Sequence, residues 1–135
     1  MTRILMIDGD RALAQSVALT CLEDGVAIRM AETLCEGVRD LLEGAVSLVL
    51  LDAALIRLPA SDQARLFEAV APGVPVVILV SPATPMEEVV KLELHGFHVV
   101  HRPFDVRQVL AKVEPTGRFL PAGRGAARQV KDICG

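Results

Sequence analysis

Residues 74–80 read Val-Pro-Val-Val-Ile-Leu-Val, and residues 46–51 read Val-Ser-Leu-Val-Leu-Leu. In both runs apolar side chains follow one another almost without interruption, instead of alternating with polar ones. This pattern is typical of the central strands of a parallel sheet, because helices cover both faces of such a sheet. The two runs therefore predict a sheet buried between two layers of helices.

Three further apolar runs of strand length complete a regular pattern, in which a segment of helical periodicity follows each run. This βα unit, repeated five times, predicts one α/β domain with a doubly wound parallel sheet. Capping residues followed three positions later by Glu or Gln predict helix starts, and glycines mark helix ends. The strand runs are residues 4–7, 26–30, 46–51, 74–80 and 97–100. The capping pairs are Thr33 with Glu36, Thr84 with Glu87 and Asp105 with Gln108, and the glycines are Gly25, Gly44 and Gly96.

The chain has 135 residues, of which 52% are hydrophobic and 23% charged, a composition typical of one globular domain. Its charge is uneven, because residues 1–114 are net acidic whereas residues 115–135 are net basic and rich in Pro and Gly. We therefore expect a folded domain over residues 1–114 and a flexible basic C-terminal tail or linker over residues 115–135. Phosphate contacts dominate affinity for nucleic acid, so the acidic domain makes nucleic acid an unfavourable partner.

The sequence has neither a membrane-span pattern nor a signal-peptide pattern. Residues 69–86 form the most apolar uncharged window, but four prolines and Gly73 interrupt it. The N-terminus reaches Asp8 after too few apolar residues for a signal peptide. The three cysteines are widely spaced and lack a metal-ligand rhythm, which agrees with a reducing compartment. We expect a cytoplasmic protein with no membrane partner, in which Cys21 and Cys35 are small buried residues.

Polar side chains stand at the carboxyl ends of the predicted strands, the edge where open α/β sheets bind ligands. Asp8 ends the first strand, with Asp10 just beyond it, and Asp52 ends the third. Ser81 and Arg102 follow the fourth and fifth strands. Crowded carboxylates favour Mg²⁺, an ion that also accepts phosphate oxygens. With the ion bound, Asp52 can attack a phosphoryl group while Ser81 donates a hydrogen bond and Arg102 supplies a fixed charge.

Four motifs carry these residues, and any one of them alone is a weak signal. They are Ile-Leu-Met-Ile-Asp-Gly-Asp at 4–10, Leu-Val-Leu-Leu-Asp at 48–52, Val-Ile-Leu-Val-Ser at 77–81 and Arg-Pro-Phe-Asp at 102–105. In this order and at this spacing, the chain resembles a response-regulator receiver domain of the CheY-like superfamily over essentially residues 1–114. The resemblance implies a flavodoxin-like fold with five parallel strands in the order 2-1-3-4-5.

The resemblance also implies a role for each residue at the strand ends. Asp52 is the expected phospho-acceptor, Asp8 belongs to the acidic Mg²⁺ pocket, and Ser81 is the hydroxyl that follows the phosphoryl group. Arg102 holds the position of the family's Lys. The backbone carbonyl of Ala54 resembles the family's main-chain metal ligand, so Mg²⁺ is the implied cofactor.

Several positions depart from the family pattern. Gly9 stands where the family has a second acid that contacts the metal directly. Asp10 can either reach into the metal site or cap the following helix, and the sequence leaves both roles open. Arg102 keeps the positive charge of Lys but presents a planar fork on a longer stem. Val99 replaces an aromatic residue, which removes a tyrosine-type rotamer switch.

Two functions remain open for such a domain. In the first, a histidine kinase or phosphotransferase phosphorylates Asp52, and output passes to a downstream protein through the fourth helix, fifth strand and fifth helix. In the second, a degenerate receiver acts as a phosphorylation-independent protein-interaction or homodimerisation module. Residues 8–10 also resemble the nucleophile motif of haloacid dehalogenase-type phosphatases, but the separate Lys and later acidic pair of that family are not evident. We therefore expect a signalling domain rather than an enzyme, with self-dephosphorylation as its only turnover.

Overall fold

The structure is a computed structural model that describes residues 2–111. Five parallel strands form one sheet in the order β2-β1-β3-β4-β5, so the expected strand order is confirmed. Each strand begins and ends within about two residues of its predicted bounds, the usual precision of a boundary read from sequence. The strands are β1 (Arg3–Ile7), β2 (Ala27–Ala31), β3 (Leu48–Asp52), β4 (Val76–Val80) and β5 (His98–His101).

Helices cover both faces of the sheet, as the continuous apolar strands predict. Along β3 the side chains alternate between the two faces, with Leu51 in one buried cluster and Leu50 in the other. The first cluster includes residues of α2, α3 and α4, and the second includes residues of α1 and α5. The helices are α1 (Arg11–Glu23), α2 (Leu34–Glu43), α3 (Ala60–Val70), α4 (Met86–Leu94) and α5 (Val106–Ala111), with a short 3-10 helix at Ala53–Leu55.

The predicted helix boundaries are correct for α2 and α5 and wrong for α4. Thr33 caps α2 by accepting a hydrogen bond from the Glu36 N–H at 3.2 Å. Asp105 accepts one from the N–H of Arg107, at 2.9 Å, in the first turn of α5. In α4 the residue before the first helical position is Pro85, and no side chain caps the helix. Because Pro85 is extended rather than helical, the helix begins one residue later than predicted and Thr84 does not serve as its N-cap.

Gly37 sets the distance between α2 and β1. A Cβ atom at this position would overlap the terminal methyl of Ile7 and would stand 2.6 Å from its Cγ1. Real Cβ atoms do not come so near a neighbouring carbon, because interiors are already packed close to the van der Waals limit. The absence of a side chain at Gly37 therefore lets α2 lie directly against the strand that leads into Asp8.

The two described cysteines occupy different environments. Cys21 is fully buried on the inner face of α1, which confirms the prediction for this residue. Burial, with a smaller contribution from the charge of Asp24, raises the pKa of the Cys21 thiol. Cys35 is exposed, so the prediction of a buried Cys35 is wrong. It lies in the first turn of α2, next to the inward-facing Leu34, and faces away from the core.

The expected tail, residues 115–135, lies outside the described residues. Within residues 2–111, no helix combines the length and the apolar character that crossing a membrane requires.

Candidate functional site

The structure brings four of the predicted site residues together at the carboxyl edge of the sheet. Asp8 follows β1, Asp52 is the last residue of β3, Ser81 follows β4 and Arg102 follows β5. The strands between them are paired neighbours, so these ends reach the same edge. Ligand sites in open parallel sheets form at this edge.

Asp8 is almost fully buried, with 3% of its surface exposed. Its Oδ1 accepts a hydrogen bond from the Asp10 N–H at 2.9 Å, and its Oδ2 accepts one from Nη2 of Arg102 at 2.6 Å. A buried carboxylate is costly unless it is paired and hydrogen-bonded, and here both oxygens have a partner. The Asp8 carboxylate is thus fixed by hydrogen bonds from a neighbour in sequence and from a residue 94 positions away.

Arg102 contacts two carboxylates through one nitrogen. The Nη2 atom that binds Asp8 also stands 3.5 Å from Oδ1 of Asp52. Burial acts to lower the pKa of Arg102, but the hydrogen bond and charge of Asp8, together with the charge of Asp52, outweigh it and raise the pKa above its ordinary value. The backbone is fixed as well, because the Arg102 N–H donates to the Val80 carbonyl at 2.9 Å. Arg102 is therefore a permanent, positioned cation.

Asp52 is less enclosed than Asp8, with about a fifth of its side chain exposed. Its Oδ1 accepts a hydrogen bond from the Ala54 N–H at 3.0 Å, in addition to the contact with Arg102. Within residues 2–111, Oδ2 of Asp52 has no hydrogen-bond donor. The carboxylate therefore keeps one unused oxygen, as a nucleophile requires.

Asp52 lines a cavity of about 410 Å³ that also contains hydroxyl groups and the positive charge. Ser81 and Thr84 contribute the hydroxyls, and Arg102 contributes the guanidinium. Oγ of Ser81 accepts a hydrogen bond from the Ala83 N–H at 3.1 Å, which leaves its own proton for a ligand. A group bonded to Asp52 can thus receive hydrogen bonds from both a hydroxyl and a cation.

Thr84 was missed as a site residue by sequence reasoning. Its position just before Pro85 suggested a helix cap, and that interpretation concealed its place in the cavity. The signal that could have identified it is the turn after β4, in which the Thr84 N–H donates to the Ser81 carbonyl at 3.0 Å. A turn so close to a strand end keeps its residues near the carboxyl edge of the sheet.

Asp10 has the capping role, one of the two roles that the sequence left open. It is the N-cap of α1, and its Oδ1 accepts a hydrogen bond from the Leu13 N–H at 3.1 Å. It also lines a second cavity, of about 280 Å³, on the side of Arg102 towards Pro82 and Phe104. The cap satisfies one of the otherwise unpaired N–H groups at the start of the helix.

The carboxylates at this edge do not fit Mg²⁺ as they are arranged. Magnesium requires several oxygen ligands in near-octahedral geometry. Both Asp8 oxygens are already engaged, Gly9 has no side chain, and Arg102 stands between Asp8 and Asp52. Among residues 2–111, no three His, Cys, Asp or Glu side chains are grouped as a metal site. The Asp10 carboxylate is committed in part to its capping bond, and the Ala54 carbonyl alone is too little to hold the ion.

Solved structures share this architecture. The CheY-like receiver domain protein from Methanospirillum hungatei superimposes with a TM-score of 0.71 over 98% of both chains, at 19% identity. The chain has the fold of a response-regulator receiver domain. A response regulator from Burkholderia pseudomallei, solved with a phosphorylated aspartic acid, a calcium ion and citrate, superimposes on this chain with a TM-score of 0.71. That match covers 98% of this chain and 73% of the other, at 18% identity.

Sequence comparison finds response regulators as well. The chain is 26% identical over 110 residues to the uncharacterized transcriptional regulatory protein YkoG of Bacillus subtilis. That alignment covers 82% of this chain and 48% of YkoG. It is 24% identical over 135 residues to the response regulator MprA of Mycolicibacterium vanbaalenii. That alignment covers 97% of this chain and 58% of MprA. The chain thus spans about half the length of the curated relatives it matches. No model of a known protein family matches it.

Proposed function

We propose that this receiver domain accepts a phosphoryl group on Asp52 in two-component signalling. One observation carries the proposal: the carboxylate of Asp52 lines a cavity together with the hydroxyl of Ser81 and the guanidinium of Arg102. Phosphoryl transfer needs little covalent chemistry from the protein beyond a nucleophile, hydrogen-bond donors and positive charge around the phosphoryl oxygens. The three side chains supply these needs in one place.

The transfer balances with a phosphohistidine donor on a histidine kinase or phosphotransferase. Oδ2 of Asp52 attacks the phosphorus, the P–N bond of the donor breaks, and the leaving imidazole takes a proton from water. The product is an acyl phosphate on Asp52, whose oxygens accept hydrogen bonds from Ser81 and Arg102. Hydrolysis of this adduct by water is the only turnover that we propose for the domain.

The relatives support this assignment. One relative is called a response regulator, and the Burkholderia structure contains a phosphorylated aspartic acid. For this chain we propose that Asp52, at the end of β3, is the acceptor and that a histidine kinase or phosphotransferase is the donor.

The surface of α4 supports an output through protein contacts. Met86, Val90 and Leu94 recur every fourth residue and are 70%, 42% and 79% exposed. Residues at this spacing lie on one face of a helix, so they form an apolar stripe open to solvent. We propose that a downstream protein, or a second copy of the chain, binds the face that α4 forms with β5 and α5.

Incubation with acetyl phosphate followed by intact-protein mass spectrometry tests the acceptor. We expect the wild-type protein to gain the mass of one phosphoryl group, and Asp52→Asn to gain none. Asp62→Asn is the matched control, because Asp62 is an exposed aspartate on α3, outside the cavity. An adduct that survives in Asp52→Asn, or a wild-type protein that is never labelled, would contradict the proposal.

A second function is favoured by the ion pairs at the strand ends. Arg102 pairs with Asp8 and contacts Asp52, an arrangement of protein groups alone that suits a phosphorylation-independent protein-interaction module. In that case Asp52→Asn leaves partner binding unchanged. Under the proposed function, the same substitution removes the dependence of partner binding on acetyl phosphate.

A further inference from the structure

The acidic pocket contains a cation of its own. Nη2 of Arg102 is 2.6 Å from Oδ2 of Asp8 and 3.5 Å from Oδ1 of Asp52. These distances put the two carboxylate oxygens within about 6 Å of each other, a range in which two negative charges repel unless a cation lies between them. The guanidinium therefore supplies the positive charge that a divalent ion would otherwise have to supply between the two carboxylates.

The pocket also leaves few oxygens for a metal. Oδ1 of Asp8 accepts a hydrogen bond from the Asp10 N–H, and Oδ1 of Asp10 accepts one from the Leu13 N–H. A divalent ion that approached Asp8 would have to displace Arg102 from a carboxylate with only 1% of its side chain exposed. Such a displacement separates a buried ion pair, a change that proteins resist strongly.

Arg102 retains donors for a ligand while it holds both carboxylates. A guanidinium has five N–H donors in a planar fork, and the contacts to Asp8 and Asp52 both use Nη2. Within residues 2–111, Nε and Nη1 of Arg102 make no hydrogen bond. These groups suit phosphoryl oxygens, which guanidinium groups bind through paired N–H donors.

We propose that the guanidinium of Arg102 takes the place of the divalent cation, so that this pocket handles a phosphoryl group without bound metal. The part that concerns the phosphoryl group rests on the proposed function of Asp52. The part that concerns the metal does not, because it can be measured on the unmodified protein. Two experiments therefore distinguish a failure of the metal-free proposal from a failure of the proposed function of Asp52.

The first experiment titrates Mg²⁺ into the unmodified chain and follows the backbone amide signals by NMR. We expect no saturable shift at residues 8–10 or 52–54 in the wild type. We expect Arg102→Ala to bind Mg²⁺ at these residues at least tenfold more tightly, because two carboxylates lose their cation. Arg29→Ala is the matched control, since Arg29, itself 59% exposed, also bridges two carboxylates, those of Asp40 and Glu43, away from the pocket.

A second variant keeps this experiment decisive if Arg102→Ala does not fold. Gly9→Asp adds the carboxylate that a metal would need, and a Cβ there comes no nearer than 4.0 Å to the Glu32 carbonyl. We expect Gly9→Asp combined with Arg102→Lys to gain Mg²⁺ binding that the wild type lacks. Wild-type binding at Asp8 as tight as in these variants would overturn the inference.

The second experiment labels the wild-type protein with acetyl phosphate in EDTA and, in parallel, in Mg²⁺. We expect the phosphoryl adduct to form at rates within about twofold in the two solutions, an energy difference of less than about 0.5 kcal/mol by the usual conversion. An adduct that forms only with Mg²⁺ overturns this inference and leaves the proposed function intact. If neither solution gives an adduct, the proposed function fails, and the metal titration alone decides the role of Arg102.

Discussion

Replacing Arg102 by Met removes the charge that pairs with Asp8 and keeps most of the aliphatic stem. Breaking a buried ion pair by removing one partner costs about 3–5 kcal/mol of folding free energy. The lower end applies here, because the Arg102 side chain is 24% exposed and Asp8 keeps its hydrogen bond from the Asp10 N–H. We therefore expect the free energy of unfolding to fall by about 3 kcal/mol.

Urea denaturation followed by far-UV circular dichroism measures this loss, since the chain has no Trp. With a denaturant slope of about 2 kcal/mol per molar urea, the midpoint should fall by about 1.5 M. Arg29→Met is the control, because Arg29 is 59% exposed and neither of its two partners is buried as Asp8 is, and exposed pairs contribute little. If Arg102→Met and Arg29→Met lose the same stability, the reasoning from the burial of Asp8 is refuted.

Two further experiments, one substitution and one labelling reaction, test the core. Gly37→Ala should gain about 1 kcal/mol in helix propensity and lose more through overlap with Ile7, for a net loss of about 1 kcal/mol in urea denaturation. Gly9→Ala serves as the steric control, because its Cβ would come no nearer than 4.0 Å to another residue, at the Glu32 carbonyl. A stabilised Gly37→Ala would contradict the close approach of α2. In a Cys134→Ser background, a thiol reagent at pH 9 should label Cys35 quickly and Cys21 only as the protein unfolds. The pKa of the Cys21 thiol is raised above its ordinary value of 9.0, so folding favours the neutral thiol. The stability that this neutral thiol contributes is fully present below pH 9 and is lost as the pH rises through the folded-state pKa. Equal labelling rates for the two thiols would contradict the burial of Cys21.

The positions of the site residues could be predicted from the sequence, but their pairing could not. Each of these residues ends or directly follows an apolar strand that can be recognised in the sequence, and parallel strands bring their carboxyl ends to one edge. They are Asp8, Asp52, Ser81 and Arg102. The sequence suggested that Arg102 serves the phosphoryl group. Its hydrogen bond to Asp8 spans 94 residues and depends on how far the side chain extends past the end of β5.

Local signals were misleading where the backbone, not the residue type, decides the outcome. Thr84 has the type and spacing of a capping residue, yet extended Pro85 moves the helix start away from it. Cys35 is an apolar residue type on an amphipathic helix, but its position in the first turn of α2 is an outward one. In both cases a shift of one residue around the helix changes the environment completely.

The hydrogen bonds of Asp8 join the pocket to the first helix. Oδ2 of Asp8 accepts a hydrogen bond from the Arg102 guanidinium, and Oδ1 accepts one from the backbone N–H of Asp10. The side chain of Asp10 in turn caps α1. A displacement of the guanidinium can therefore reach the first turn of α1 through these two hydrogen bonds of Asp8, with no change in the register of the sheet. We therefore expect a change at Asp52 that moves Arg102 to alter the first turn of α1 as well as the apolar stripe on α4.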